Sequence, residues 1–340
     1  MESAGSTQGL GAAAAPKTGG GATRAPMLNG PKRQHFLPRF YLEGFCRGGL
    51  VAVYDRNNNE VRLQQPVNTA VIGHFYTLED TEGRKRFELE AVLCEYEGKA
   101  KPAIAKLIAC EGLSDQERSD LSIFIALAAM RTPDMVNSVQ SLNGQMVAHS
   151  AKLLFRDVEK VYQDLRADKL EEGTSDEELR EQAAFMVDMA QSEKFVVTTD
   201  EKWAVQMTMQ MALGAAPYLA GRHWRVVHRE RDKHSFVTTD SPVFLNTTAP
   251  RGPSPYGVGF GSPDAFISFP LDQSCVLQAW GDDGLLEHKG ADGNYIRKAN
   301  LALGARCQRF LVARDEALVS SLAQELGLAQ KQWQPKLRLG

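Results

Sequence analysis

Cysteine is scarce in this 340-residue chain: Cys46, Cys94, Cys110, Cys275 and Cys307 are odd in number, and none falls in a C-x-x-C or similar metal-ligand spacing. That pattern excludes a disulfide framework and predicts free, mostly buried thiols in a reducing, cytoplasmic setting. An excess of charge is lacking too. With 39 Lys+Arg against 42 Asp+Glu, the net charge is -3, so the chain is not built to coat nucleic acid or an anionic membrane, and any anion site must be local. The most apolar stretch, Trp203 to Ala220, is interrupted by Gln206, Thr208, Gln210 and Pro217. It falls short of the roughly 20 apolar residues that a bilayer span requires, so no membrane partner is expected. Residues 1–30 are mostly Gly, Ala, Ser, Thr and Pro without an apolar signal core, and are read as a disordered tail. Internal repeats, a Walker phosphate loop, H-E-x-x-H, a G-x-S-x-G elbow and a dinucleotide fingerprint are all missing.

What is present alternates in period. LVAVYD, the polar turn Arg56 to Glu60, VRLQQ and VIGHFYTL predict a hairpin and a further extended segment. From Phe87 to Cys110 the period is helical, with Leu89, Val92, Leu93, Tyr96, Ala100, Ile104 and Leu107 on one arc. Ser114 and Glu117 form a capping-box signature before the apolar run Leu121 to Met130, which predicts a central helix ending at Arg131-Thr132-Pro133. Three helical pieces follow, Val136 to Leu170, Ser175 to Gln191 and Thr199 to Leu213. After His223 the runs WRVVHR, SFVTTD, FISFPL, CVLQAW and FLVAR predict strands, with late helices near Ala291 to Leu303 and Glu316 to Leu326. The expected fold is α+β: one domain over residues 31–340, a mixed or antiparallel sheet joining N- and C-terminal strands, and a large helical insertion at about 135–220. Pro250 to Pro263, with Gly257, Gly259 and Gly261, is read as a mobile surface loop.

Three places could carry chemistry. Residues 31 to 56 hold five basic side chains, Lys32, Arg33, Arg39, Arg47 and Arg56, against Glu43 and Asp55. This local excess could receive an anion, with His35 as a proton carrier and Arg39 as a planar fork. Glu90 and Glu97 lie seven residues apart at the edge of the apolar arc, about 20° apart in azimuth and about 10 Å along the axis, so each could hold one end of a metal or charge network. A structural ion pair such as Glu97 with Lys101 is the competing reading. Arg131, at the end of an apolar helix, needs a carboxylate or an anion, and Glu90, Glu97 and Asp240 are its candidate partners. The third place is S-F-V-T-T-D-S-P-V, residues 235 to 243, where a β-branched strand runs into Asp240 and stops at Pro242, with Thr239 beside it. An acid at a strand end suits an active site, although an Asx-type turn has the same signature. His223, His228 and His234 are too irregularly spaced to read as a metal cluster.

QHFLPRFYLEGF, ELEAVLCEYEGKA, FIALAAMRTP, VTTDSPV and FPL, in that order, resemble the uncharacterised family termed domain of unknown function 4238, over roughly residues 32 to 315. Its His-x-x-Pro element matches His35 and Pro38. Its Thr-Ser-Asp-x-Pro element matches Asp240 and Pro242, with Thr239 where the family usually has Ser. The resemblance implies no activity.

The residues support a metal-dependent hydrolase acting on a phosphoester, a nucleotide or nucleic acid. In this reading His35, Glu90, Glu97, Arg131 and Asp240 are catalytic, and Glu90, Glu97 and Asp240 hold Mg²⁺ or Mn²⁺. Lys32, Arg39 and Thr239 bind substrate. The alternatives are a noncatalytic binding or regulatory module in which the same residues form a structural polar network, and a toxin or defence effector.

Overall fold

The computed structural model describes residues 26–169, 174–192, 195–249, 257–330 and 332–337. Along the chain run β1 (Arg33–His35), α1 (Arg39–Glu43), β2 (Val51–Asp55), β3 (Glu60–Gln64), β4 (Val71–Gly73), β5 (Leu78–Glu79) and β6 (Lys85–Arg86). The helical middle comprises α2 (Glu88–Ile108), α3 (Asp115–Met130), α4 (Pro133–Leu154), α5 (Val158–Lys169), α6 (Asp176–Gln191) and α7 (Glu201–Ala220). Then come β7 (His223–Arg229), β8 (Thr238–Thr239), β9 (Phe244–Thr247), β10 (Ala265–Pro270), β11 (Cys275–Trp280), β12 (Leu286–Ala291), α8 (Gly293–Gly304), β13 (Phe310–Ala313) and α9 (Glu316–Glu325).

The strands form two main sheets, a five-stranded one in the order β12-β7-β11-β10-β9 and a four-stranded one in the order β3-β2-β13-β8. The second joins the two ends of the chain, because β13 pairs antiparallel with β2, Leu311 opposite Tyr54. Two-stranded ladders β1-β4 and β5-β6 complete the set among the described residues. The fold is α+β, with mixed pairing because β12 lies parallel to β7.

One core runs from α1, α2, α3 and α7 to the five-stranded sheet, through Leu42, Leu93, Phe124, Val205, Trp224 and Leu277. The predicted arc of α2 faces it at Leu93, Ala100, Ile104 and Leu107, while Val92 turns outward and is exposed. Ser114 accepts from Glu117 N, and Glu117 closes the capping box that starts α3. Nine of the sixteen α3 residues are buried, as an all-round apolar helix requires.

Two expectations change. The helix read as Val136 to Leu170 is two helices, because the Asp157 carboxylate accepts from the Glu159 and Lys160 amides and starts α5 as a new helix. The pair α5–α6 then buries Val161, Tyr162, Leu179 and Ala183 in a cluster of its own. Strand β12, LEHKGA, carries no apolar alternation because it lies at the sheet edge, half exposed.

Most of the N-terminal tail lies outside the described residues, but residues 26–30 are held. Met27 N donates to Glu88 Oε1 at 2.9 Å, and Met27 O accepts from Phe87 N at 3.0 Å. Of the Pro250 to Pro263 loop, residues 250–256 lie outside the described set. The rest is pinned by Arg222, whose buried guanidinium donates to the carbonyls of Phe260 and Ser262, both at 2.7 Å. No helix among the described residues is long and apolar enough to cross a membrane.

Candidate functional site

Strand β1 places Gln34 and His35 next to each other, and their side chains take opposite roles. Gln34 is fully buried. Its Oε1 accepts from Tyr76 N at 2.7 Å and its Nε2 donates to Thr77 Oγ1 at 3.1 Å, which fixes the turn after β4. The turn aims the Tyr76 hydroxyl inward, where it donates to the Arg131 carbonyl at 2.8 Å. Arg131 is the C-cap of α3, and Thr132 next to it is the N-cap of α4, so its backbone sits at the joint of two helices.

The Arg131 side chain is only 1% exposed. Its Nη1 donates to Glu97 Oε1 at 2.8 Å, while Nε and Nη2 are buried with no partner. A guanidinium cannot shed its charge to escape burial, so two idle donors in such a place are an expensive feature. Burial works against the Arg131 charge, and Glu97, Tyr76 and Glu90 more than offset it. Of the three acids considered from sequence, Glu97 is thus its ion-pair partner, and the structure pairs Glu97 with Arg131 rather than with Lys101.

Glu90 lies two turns earlier on α2 and is half-buried. Burial, reinforced by the nearby Glu97 charge and opposed by Arg131, pushes its carboxyl up to about 7. His35 comes from the other side. Its Nε2 is buried without a partner. Its pKa is lowered by burial, aided by Arg33, against the opposing pull of the Val67 carbonyl, Glu97 and the Pro66 carbonyl. Four of the five proposed catalytic residues therefore fall within one electrostatic neighbourhood: His35, Glu90, Glu97 and Arg131.

The fifth does not join them. Asp240 is buried, and its two oxygens accept from the backbone amides of Gln308 at 3.0 Å and Arg309 at 2.6 Å. Burial pushes its carboxyl up to about 6, with the amides of Gln308 and Arg309 pulling the other way. Its work is to tie β8 to the start of β13, so the metal set Glu90, Glu97 and Asp240 is not assembled. Thr239 is likewise buried and occupied, donating to Ser241 O and accepting from Ser241 N within its own turn. Arg39 is exposed and pairs with Glu43 at 2.8 Å, and Lys32 is exposed, with its carbonyl holding His74 N. Neither is drawn to the buried guanidinium by any contact.

Three members of the neighbourhood escaped the sequence reading. Cys94 stands between Glu90 and Glu97 at i, i+4, i+7 spacing, and its thiol is raised by burial and by both carboxylates. That spacing was available as a signal. Gln34 and Tyr76 had none, since a Gln inside a basic stretch and a Tyr in an extended run look ordinary.

The family model described as "Protein of unknown function (DUF4238)" matches residues 33–317. The chain belongs to the DUF4238 family. Neither the curated proteins nor the solved structures gave a match. The two motifs associated with DUF4238 part company in three dimensions. His35 of the first enters the cluster, while Pro38 precedes α1 as its N-cap. Asp240 of the second holds the backbone amides of Gln308 and Arg309, just before β13.

Proposed function

We propose that the His35, Glu90, Glu97 and Arg131 cluster is an acid–base centre for hydrolysis of a phosphoester in a small molecule, such as a nucleotide or short oligonucleotide. The observation that carries this reading is the buried Arg131 guanidinium with two unpartnered nitrogens, beside a carboxyl that stays partly protonated near neutral pH. Arg131 Nε and Nη2 would receive a phosphoryl oxygen, with Glu97 fixing the fork from behind. His35 Nε2, neutral and without a partner, would take a proton from the attacking water. As oxygen bonds to phosphorus and the ester P–O bond breaks, protonated Glu90 would deliver its proton to the leaving oxygen. The net charge of -3 favours a small substrate over long nucleic acid.

In the metal-dependent version of this reading, Glu90 and Glu97 are the carboxylates left to hold Mg²⁺ or Mn²⁺, because both Asp240 oxygens are engaged. The second reading is a binding module, favoured by the way Gln34, Tyr76 and Arg131 lock β1, the turn after β4 and the end of α3 together through hydrogen bonds.

The test is turnover of a panel of nucleotides and aryl phosphoesters between pH 5 and 9, with and without Mg²⁺ or Mn²⁺, for the wild type and Glu90→Gln. Activity should fall as Glu90 deprotonates above pH 7, and the variant should lose about 100-fold or more. In the variant, stability should move the opposite way from activity. The folded-state pKa of Glu90 lies above its ordinary 4.5, so its stabilising contribution is complete below about pH 4.5 and is lost as pH rises through 7. A fully buried group with this shift would account for about 3 kcal/mol. Solvent screening at this half-buried position reduces that to about 1–2 kcal/mol, by which Glu90→Gln should exceed the wild type at pH 8. No turnover, together with a destabilised variant at pH 8, would replace the enzyme with the binding module.

A further inference from the structure

Far from β1, three elements meet at a second cluster of chemically competent side chains. Cys110 lies just past the end of α2 in a left-handed conformation, φ 61°, which a non-glycine residue adopts at a cost and which turns its thiol toward the five-stranded sheet. His228 is near the end of β7. His288 is on β12, where it lies opposite Val226 in the parallel ladder, so His228 and His288 project from the same face, one step apart diagonally. Their rings are 5.3 Å apart between centroids.

His228 Nε2 lies 3.0 Å from His288 Nδ1 and 3.5 Å from Cys110 Sγ, and one ligand atom from each of the three residues lies within 4.8 Å of the others. It is the one group of three or more such ligand side chains found among the described residues. A ring nitrogen has a single in-plane position, holding either one hydrogen or one lone pair. It cannot make a full hydrogen bond to two neighbours at once, so protons alone leave one of these two contacts unsatisfied. A cation placed between the three atoms satisfies all of them.

Two of the three separations also match the dimensions of a zinc site, and the third lies within 4.8 Å. Zn–N bonds of about 2.0–2.1 Å and a Zn–S bond of about 2.3 Å at a tetrahedral angle put nitrogen about 3.3 Å from nitrogen and about 3.6 Å from sulfur. The observed 3.0 and 3.5 Å lie within a few tenths of an ångström of those separations. Cys110 is exposed at a helix end, leaving the fourth position open to water and the ion a route in.

We infer that Cys110, His228 and His288 form a binding site for a borderline transition-metal cation of the Zn²⁺ class, with one thiolate, two imidazoles and an open fourth position. One thiolate with imidazoles selects such an ion over Mg²⁺ or Ca²⁺, which take oxygen donors. Binding displaces the Cys110 thiol proton to solvent and leaves both histidines neutral. The ion would staple the C-terminal end of α2 to the edge strand β12 and its neighbour β7. The site is independent of the proposed hydrolytic centre.

The experiment uses the full chain, stripped with chelator and titrated with Co²⁺ as a spectroscopic substitute. One equivalent should bring up a thiolate-to-cobalt charge-transfer band together with intense tetrahedral visible bands, and Zn²⁺ should displace both. Cys110→Ser should abolish the charge-transfer band, and His288→Gln should weaken binding at least tenfold. Thermal unfolding of each metal-free variant confirms that it is folded. A wild-type chain with no charge-transfer band, or a band that persists in Cys110→Ser because Cys94 supplies the thiolate, would overturn the assignment.

Discussion

Replacing Glu97 with Gln should cost about 3–5 kcal/mol of stability in urea unfolding, the largest effect expected from any single polar substitution in the cluster. The reason is the state of Arg131. It is 1% exposed, and its one side-chain hydrogen bond goes to Glu97. Without that carboxylate the charge stays buried, with only partial help from Glu90. The double variant Glu97→Gln/Arg131→Met removes both members, and it should recover much of the loss because no uncompensated charge is left. The carboxyl of Glu90 should also move down from about 7 in Glu97→Gln, since the neighbouring Glu97 charge is the second cause of its rise. A small loss in Glu97→Gln, or a double variant as unstable as the single one, would contradict this view of the pair.

Asp240→Ala should cost about 2–4 kcal/mol for a different reason. Both of its oxygens accept from backbone amides, those of Gln308 and Arg309, so truncation leaves two N–H groups without their charged acceptor. Asp240→Asn should recover only part of the loss. Its single carbonyl oxygen can satisfy one amide, and its NH₂ would face the other donor. Equal stability of Asp240→Asn and the wild type would mean that the acid is held there for another purpose, and would return it to the list of catalytic candidates.

The two acids show how far sequence reasoning reached. Glu90, Glu97 and Arg131 were legible because helical geometry is regular: seven residues set two carboxylates on one edge, and a charged residue closing an apolar helix demands a partner. His35 came from its basic, aromatic setting. Asp240 looked equivalent, yet a strand end offers an acid two uses, an open cleft or the backbone of the next strand, and only the β8–β13 pairing decides between them. The hairpin, the capping box of α3 and the α+β arrangement follow from local signals. The break before Asp157 and edge strand β12 did not, because a polar cap inside a helical run and an edge strand with charged residues both mimic ordinary surface. The Cys110, His228 and His288 group was invisible for a further reason: its members are separated by more than a hundred and by sixty positions, so no spacing rule joins them.

The central claim is that the buried guanidinium is kept incompletely paired in order to take an anion. Calorimetric titration with inorganic phosphate, comparing the wild type with Arg131→Lys, tests it most directly. Lysine keeps the charge and can still pair with Glu97, but it lacks the planar fork whose Nε and Nη2 are idle. The account predicts saturable phosphate binding in the wild type, weakened at least tenfold in Arg131→Lys with the fold intact. A wild-type chain that does not bind phosphate, or an Arg131→Lys variant that binds it equally well, would contradict the claim.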